Sequence, residues 1–481
     1  MIKSVWRLIG GVVLASMILT ACAAPAPVVV TSAPIVVTSA PVVVTSAPQV
    51  VKETQIVAGT PQTVEKVVTV TPAPTQNPYD DNAPVTVWID ADRQPAFDAY
   101  VKAHPDKANL LKAVTVDREQ FPAKVLLFNN TNQGWPDVVF AEPRLVGRVA
   151  DAAHHFPLDL KPWVTADVIN GYAGMDGCTF GDNVFCLRND LAMFVLYYNK
   201  PLMDKFGYTV PTTFEEYQDL SDKVAKDHPG YYLGTFGDGW TFISYFDASG
   251  CPSHELVSDN ELKIDVKDPR CIRAAKLVDH MLANGTLFNT DYFSAEFAKV
   301  VSDNKLLAMP GPAWMFGVFG GNKDSSWYKT SDHQLGVAAP LMWKDDGKAQ
   351  TPAMGGAAWT VSSHTKNPKL AVDFIQWVTT NPDFWKGTTN FPAYKPIQNL
   401  WQQAVASNAL FANDPFPIYQ QAATVITPLD KWPRFDLIAP FSGVVQTALK
   451  DKKTIESSLP QIADTLAPLA QDQGYQVDVN K

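Results

Sequence analysis

Between Leu191 and Val224 the sequence leaves room for only one kind of local structure. Leu191 to Tyr198 is almost unbroken apolar sequence, which a strand can bury only if both its faces are covered, as in the parallel or mixed sheet of an α/β protein. Asn199-Lys200 ends the run, and Phe206-Gly207-Tyr208 carries the chain round to Pro211-Thr212-Thr213. Thr212 and Glu215 stand at capping-box spacing, where hydroxyl and carboxylate satisfy each other's free backbone donors, so a helix starts there. Phe214, Tyr217, Leu220 and Val224 then recur at helical spacing and lay one apolar stripe against the sheet.

The identity of these residues says more than their pattern. Tyr198-Asn199-Lys200, then Phe206-Gly207, Pro211-Thr212-Thr213 and the aromatic-acidic start Phe214-Glu215-Glu216-Tyr217, resembles the matching segment of carbohydrate-type (family 1) extracellular solute-binding proteins of ABC importers. Three further stretches agree with that family in the same order. They are Gly134-Trp135-Pro136-Asp137-Val138-Val139, Gly311-Pro312-Ala313-Trp314-Met315-Phe316-Gly317, and the run from Gly336-Val337-Ala338-Ala339-Pro340-Leu341 through Gly355-Gly356 to Asn367-Pro368-Lys369-Leu370-Ala371-Val372-Asp373-Phe374-Ile375. The resemblance spans 84–470. It implies a two-lobe, type II periplasmic-binding-protein-like α/β fold, each lobe a mixed sheet flanked by helices, with a hinge between them. Lobe 1 is expected over 84–190 and 358–395, lobe 2 over 191–357 and 396–481. It also implies a binding protein rather than an enzyme: a monomer without cofactor that delivers a sugar or oligosaccharide to an ABC permease.

The amino-terminal segment reads as an export signal over 1–21. Lys3 and Arg7 give the positive start, Leu8 to Leu19 the apolar run, too short for a permanent span, and Leu19-Thr20-Ala21-Cys22 the close. Small residues before a Cys resemble the bacterial lipoprotein cleavage site, which makes Cys22 the lipid-bearing first residue and the membrane the anchor; an ordinary signal with an incidental Cys is the alternative. Three seven-residue units follow, opened by Pro27, Pro34 and Pro41. A period of seven suits a coiled coil, but a Pro in every unit breaks the helix. Residues 22–83 are therefore expected to form a disordered stalk, able to span about 40 Å.

The folded part opens with the alternating strand Val85-Thr86-Val87-Trp88-Ile89, followed by Asp90-Ala91-Asp92-Arg93 and a helix over 95–102. A second helix is expected over 119–130 and a second strand over 136–141, ending at Glu142. Ligands of open α/β sheets gather beyond the carboxyl ends of strands, which places Asp90, Asp92, Arg93 and Glu142 for polar contacts. Beside Cys22, four cysteines remain, an even number in an exported chain, and this suggests two disulfides. Hairpin-like spacing favours Cys178–Cys186 and Cys251–Cys271 among the three connectivities; the spacing does not suit a metal site.

In the second lobe, Asp268-Pro269 opens a helix ending at Gly285, Leu306 to Met309 is a strand, and Gly311 to Trp314 turns into a helix on the ligand side. Trp240 stands among glycines in Gly237-Asp238-Gly239-Trp240, where a loop is expected. By the resemblance, Trp240 stacks on ligand and Trp359 opens a hinge strand whose start faces the cleft, while Trp314 is placed on the ligand side by the strand end it follows. Two helices are expected to close the chain over 438–470. With 39 Lys plus Arg against 49 Asp plus Glu and no basic block, nothing suggests a nucleic-acid partner. Aromatic residues make up 11% of the chain, a surplus that can line a cleft, and rings suit the apolar faces of pyranoses. Two alternatives remain. One is an exported carbohydrate-active enzyme, although no Gly-x-Ser-x-Gly, His-Glu-x-x-His or phosphate loop occurs and Asp80-Asp81, Glu215-Glu216 and Asp345-Asp346 sit in solvated contexts. The other is a receptor for a non-sugar solute such as iron, which Tyr197-Tyr198 brings to mind.

Overall fold

The structure is a computed structural model describing residues 49–57, 60–68 and 79–481, apart from 152–153, 322–326, 328–333, 407 and 429–431. The signal segment and Cys22 lie outside the described residues. Two units are compact in themselves, 1–76 and 77–481. In the first, Gln49–Val57 pairs antiparallel with Thr60–Val68. The stalk expected to be wholly disordered thus carries a hairpin. Its strands are rich in Val and Thr and hold a single proline, Pro61, whereas every preceding seven-residue unit begins with one.

The second unit starts as the pattern indicates. Val85–Ile89 lies between Leu111–Thr115 and Val138–Ala141, parallel to both, and helices Gln94–Ala103 and Phe121–Thr131 connect them. Ala358–Val361 and Leu187–Arg188 complete this five-stranded sheet as antiparallel neighbours. Both faces are covered. Val85, Val87 and Phe140 pack with Tyr100, Phe374 and Trp359 on one side; Trp88, Val139, Phe121 and Val125 pack on the other.

Phe194–Asn199 is the centre of the other sheet, between Ala308–Pro312 and Leu335–Ala338, antiparallel to both. Parallel bridges Tyr232 to Leu306 and Thr235 to Phe288 extend the pairing. The Asn199 side chain caps the helix Lys200–Phe206, accepting from the Leu202 N–H at 3.1 Å, and Gly207 at φ +69° ends it. Thr213, one residue later than the spacing indicated, caps Phe214–Asp227. Its hydroxyl accepts from the Glu216 N–H at 3.1 Å, and the Glu216 carboxylate accepts the Thr212 N–H at 2.9 Å. The shift by one makes Phe214 the first helical residue, where it stacks on Trp343 with ring centres 4.9 Å apart. Helices Ile438–Lys450 and Ile455–Asp472 close the lobe.

The chain crosses from the first sheet to the second after Arg188 and returns before Ala358, through Gly355 at φ +86° and Gly356 at φ +67°. A Cβ on Gly356 would lie 2.6 Å from the Arg188 guanidinium and 3.1 Å from the Asp190 carbonyl oxygen, so the two crossings touch where only glycine fits. Both disulfides, Cys178–Cys186 and Cys251–Cys271, are formed. Each ties off a short hairpin.

Trp359 departs from the expectation that it faces the cleft. It is 0% exposed, its ring set edge-on to Phe140 at 4.9 Å and to Phe374 at 5.4 Å, and its indole N–H donates to Asn189 at 3.0 Å. Strand alternation decides this, because Ala358 and Thr360 take the opposite face. Trp359→Ala is expected to cost about 3 to 5 kcal/mol of folding free energy. Replacing both Cys178 and Cys186 by Ser is expected to cost about 2 to 3 kcal/mol. Chemical denaturation of each variant without ligand measures both losses.

Candidate functional site

Three parallel strands end on one edge of the first sheet, and the residues just beyond them meet. Asp90 follows Ile89, Arg118 opens the turn after Leu111–Thr115, and Glu142 precedes the helix Pro143–Val149. Arg118 lies 3.6 Å from Asp90 and 3.6 Å from Glu142, Arg93 lies 3.5 Å from Asp90, and Arg144 lies 2.7 Å from Glu142 while also pairing with Glu119. Arg93 stands 4.3 Å over the Phe140 ring. The result is a ladder of alternating charge with an aromatic floor. Among the described residues the Asp90 Oδ1 atom has the Arg93 guanidinium as an ion-pair partner at 3.5 Å but accepts no hydrogen bond.

Burial pushes Glu142 towards its neutral form, but Arg144 and Arg118 outweigh it, and the carboxyl sits below its ordinary range. For Arg144, burial opposes the charge and Glu142 with Glu119 restores it, leaving the guanidinium firmly protonated. Asp190 is different. Burial raises it more than Arg93 and Arg188 lower it, and its oxygens accept from Asn189 at 2.9 Å and Asn390 at 3.2 Å. Arg188, also buried, donates to the carbonyls of Gly174 and Asp190 at 3.2 and 3.3 Å.

The facing wall comes from the second lobe. Trp240 is not on a loop: it lies in the first turn of the helix Gly239–Ala248, whose cap Asp238 makes a capping box with Thr241. The glycines serve close approach. A Cβ at Gly239 would meet the Ile438 carbonyl at 2.3 Å and one at Gly237 the Thr290 backbone at 2.4 Å. Arg144 reaches across to Trp240, 5.6 Å from the ring centre. Trp314 stacks parallel on Phe293, with ring centres 5.8 Å apart, and donates its indole N–H to the Met354 carbonyl at 2.7 Å beside the hinge glycines. Phe293 stays 59% exposed beside that contact.

The structure therefore brings Asp90, Arg93 and Glu142 together on one lobe, and Trp240 faces them from the other through Arg144. Asp92 points into solvent, with Arg93 at 3.7 Å its one ion pair. Sequence reasoning passed over Arg118, Arg144, Asp190 and Phe293. The rule that singled out Asp90 and Glu142 also applies to Arg118, had Leu111–Thr115 been recognised as a strand; that strand is only half-buried and carries no clear alternation. No such signal marks Phe293.

A two-lobed sheet architecture with a polar and aromatic cleft at the strand ends defines a ligand-binding protein of the venus-flytrap class. The model of the bacterial extracellular solute-binding proteins matches residues 96–421, and the chain belongs to that family, whose members work outside the cytoplasm. Among its relatives is a maltodextrin-binding protein of Bacillus subtilis, 23% identical over 311 residues, 61% of this chain and 69% of that one. In fold it is similar to the GacH receptor of Streptomyces glaucescens, with a TM-score of 0.65 and 18% identity over 82% of this chain and 100% of the other. The galacto-N-biose/lacto-N-biose I-binding protein of Bifidobacterium longum gives 0.66 and 17% over 83% and 100%.

The ladder makes a pH prediction. A carboxyl whose folded pKa is depressed stabilises the fold above its unfolded value of about 4.3, and that contribution disappears as pH falls through the lower folded value. Glu142→Gln is expected to cost about 3 kcal/mol at pH 7, since it leaves the buried Arg144 guanidinium with Glu119 alone and removes one of the two carboxylates beside Arg118. The gap to the parent should narrow as pH falls below about 4, which a pH series of thermal midpoints reads.

Proposed function

We propose that the protein captures a carbohydrate between its lobes and hands it to the membrane-spanning permease of an ABC importer, held at the membrane by lipid on Cys22. The observation that carries this is the pairing of walls: a ladder of Asp90, Arg93, Arg118, Glu142 and Arg144 on one lobe faces rings on the other. Hydroxyls both donate and accept, so they suit a surface of pre-paired charges, and Asp90 Oδ1, ion-paired with Arg93 but not hydrogen-bonded, can accept from one. The rings offer apolar area to pyranose faces. The maltodextrin-binding relative and the sugar receptors of like fold lie in the same direction. We take lobe 1 as 84–190 and 358–395, lobe 2 as 191–357 and 396–481, hinged at Arg188–Gly356, in a monomer with 22–83 as tether.

The alternatives have weaker support. Ser253, His254 and Asp247 lie in sequence-local contact, with Ser253 Oγ 3.0 Å from His254 Nδ1 and His254 Nε2 3.7 Å from Asp247, a grouping that suggests hydrolysis. Yet all three are buried and the imidazole is closed over by Trp432 and Phe441, so no substrate has access to the hydroxyl. For iron, Tyr197 would need to ionise. Burial, and then Tyr419 at 2.7 Å, push its phenol well above the ordinary value.

A glycan thermal-shift screen followed by calorimetry tests the reading; turnover of the bound sugar would overturn it in favour of an enzyme. Trp314→Ala and Trp240→Ala are each expected to weaken sugar binding by about 1 to 3 kcal/mol, roughly tenfold to a hundredfold. Thermal midpoints without ligand should stay close to the parent. Cys22→Ser should move the protein from the membrane fraction to the soluble one, and retention there would place the anchor elsewhere.

A further inference from the structure

A cavity of about 510 Å³ is lined in part by Arg144, the ladder residue that also meets Trp240. Lobe 1 walls it with the helix Pro143–Val149 and the disulfide-closed hairpin, and lobe 2 with Leu256 to Asp259, Trp432 and Arg434. Arg144 is common to the cleft and the cavity, because the same guanidinium that meets Trp240 lines this space. On the lobe 2 side the wall is continuous. Trp314 stacks on Phe293, the Thr290 backbone abuts Gly237, Trp240 follows, and Gly239 abuts Ile438 at the start of the helix just beyond Arg434.

The cavity is built with care. The Cys178–Cys186 bridge closes a hairpin in which Phe180 and Phe185 stack with ring centres 5.7 Å apart. Gly147 makes room for this pair, since a Cβ there would come within 3.3 Å of the Phe180 ring. Arg434 crosses from lobe 2 to stand 5.8 Å over Phe180, and Trp432 is braced edge-on against His254 at 5.5 Å. Rings on both lobes therefore frame a polar interior. Both guanidiniums already have carboxylates, Arg144 at Glu142 and Glu119, and Arg434 at Asp259, 3.3 Å away. A charged guest would have to break these pairs, whereas a neutral polyhydroxyl chain can bond to them as they stand.

Resting on the sugar reading above, we propose that this cavity is a second, distal sugar subsite, and that the ligand is an oligosaccharide running along the cleft from Trp314 past Arg144 to Phe180 and Trp432. The disulfide-closed hairpin is then the wall that recognises the far end of the chain, and ligand length is what it selects.

The test is calorimetry with two series, glucose through maltoheptaose and galactose through β-1,6-galactotetraose, on the parent, Phe180→Ala and Arg434→Gln. Neither side chain belongs to a lobe core, and thermal midpoints without ligand confirm intact folding. In the parent, affinity should rise roughly tenfold between the shortest binder and the member that first fills the distal cavity, the scale of one well-made subsite. Both variants should lose that rise and keep the parent's affinity for the shortest binder. Equal affinity for short and long members in the parent, or a loss in the variants that is the same at every length, overturns the distal subsite and leaves the sugar reading standing. If no member of either series binds the parent, both fall together.

Discussion

The guanidinium of Arg144 is the point on which the cleft turns. It is held between two carboxylates, Glu142 at 2.7 Å and Glu119, with the Trp240 ring of the opposite lobe 5.6 Å away. Taking these charges out of water is costly, and only their mutual attraction and hydrogen bonds offset it. The ladder is thereby locked in place: moving Arg144 would strand Glu142, which in turn positions Arg118 and through it Asp90. A polar surface made this way is pre-organised.

The two lobes share a hydrophobic cluster, in which Phe140 and Trp359 of the first belong with Tyr197 and Met309 of the second. Two of the chain's crossings between them, at Arg188 to Asp190 and at Gly355 to Gly356, are packed so closely that Gly356 leaves no space for a side chain. Arg188 ties the crossing to Gly174 of lobe 1 through a carbonyl, not a carboxylate. Elsewhere the contacts between the cleft walls described here are aromatic and cationic: Arg144 on Trp240 and Arg434 on Phe180. Such contacts are worth about 0.5 to 2 kcal/mol each, small against lobe stability and comparable to the energy a ligand can supply.

The tryptophans divide by what surrounds them. Trp359, Trp385 and Trp401 are fully buried and hold the lobes. Trp240 and Trp314 keep part of each ring open, because one stands on a helix end under an arginine and the other at a strand end beside a glycine crossing. Exposure here follows from the elements on which the rings are placed and not from residue type.

By itself the sequence determined the local elements and the family. Apolar runs, caps such as Asp268, the two cysteine hairpins and four ordered stretches were enough, since each is a short-range consequence of backbone hydrogen bonding or spacing. It also marked Asp90, Arg93 and Glu142, because strand ends can be read from pattern. Only the tertiary structure decided that Trp359 is core, that Asp92 faces water, that Arg118 and Arg144 join the charge ladder, and that Phe293 stacks on Trp314. Those outcomes depend on which face a strand residue takes once the sheet has its neighbours, and on side chains that meet from separate elements of the chain. No local pattern encodes such meetings, for they follow from how two lobes pack around their hinge.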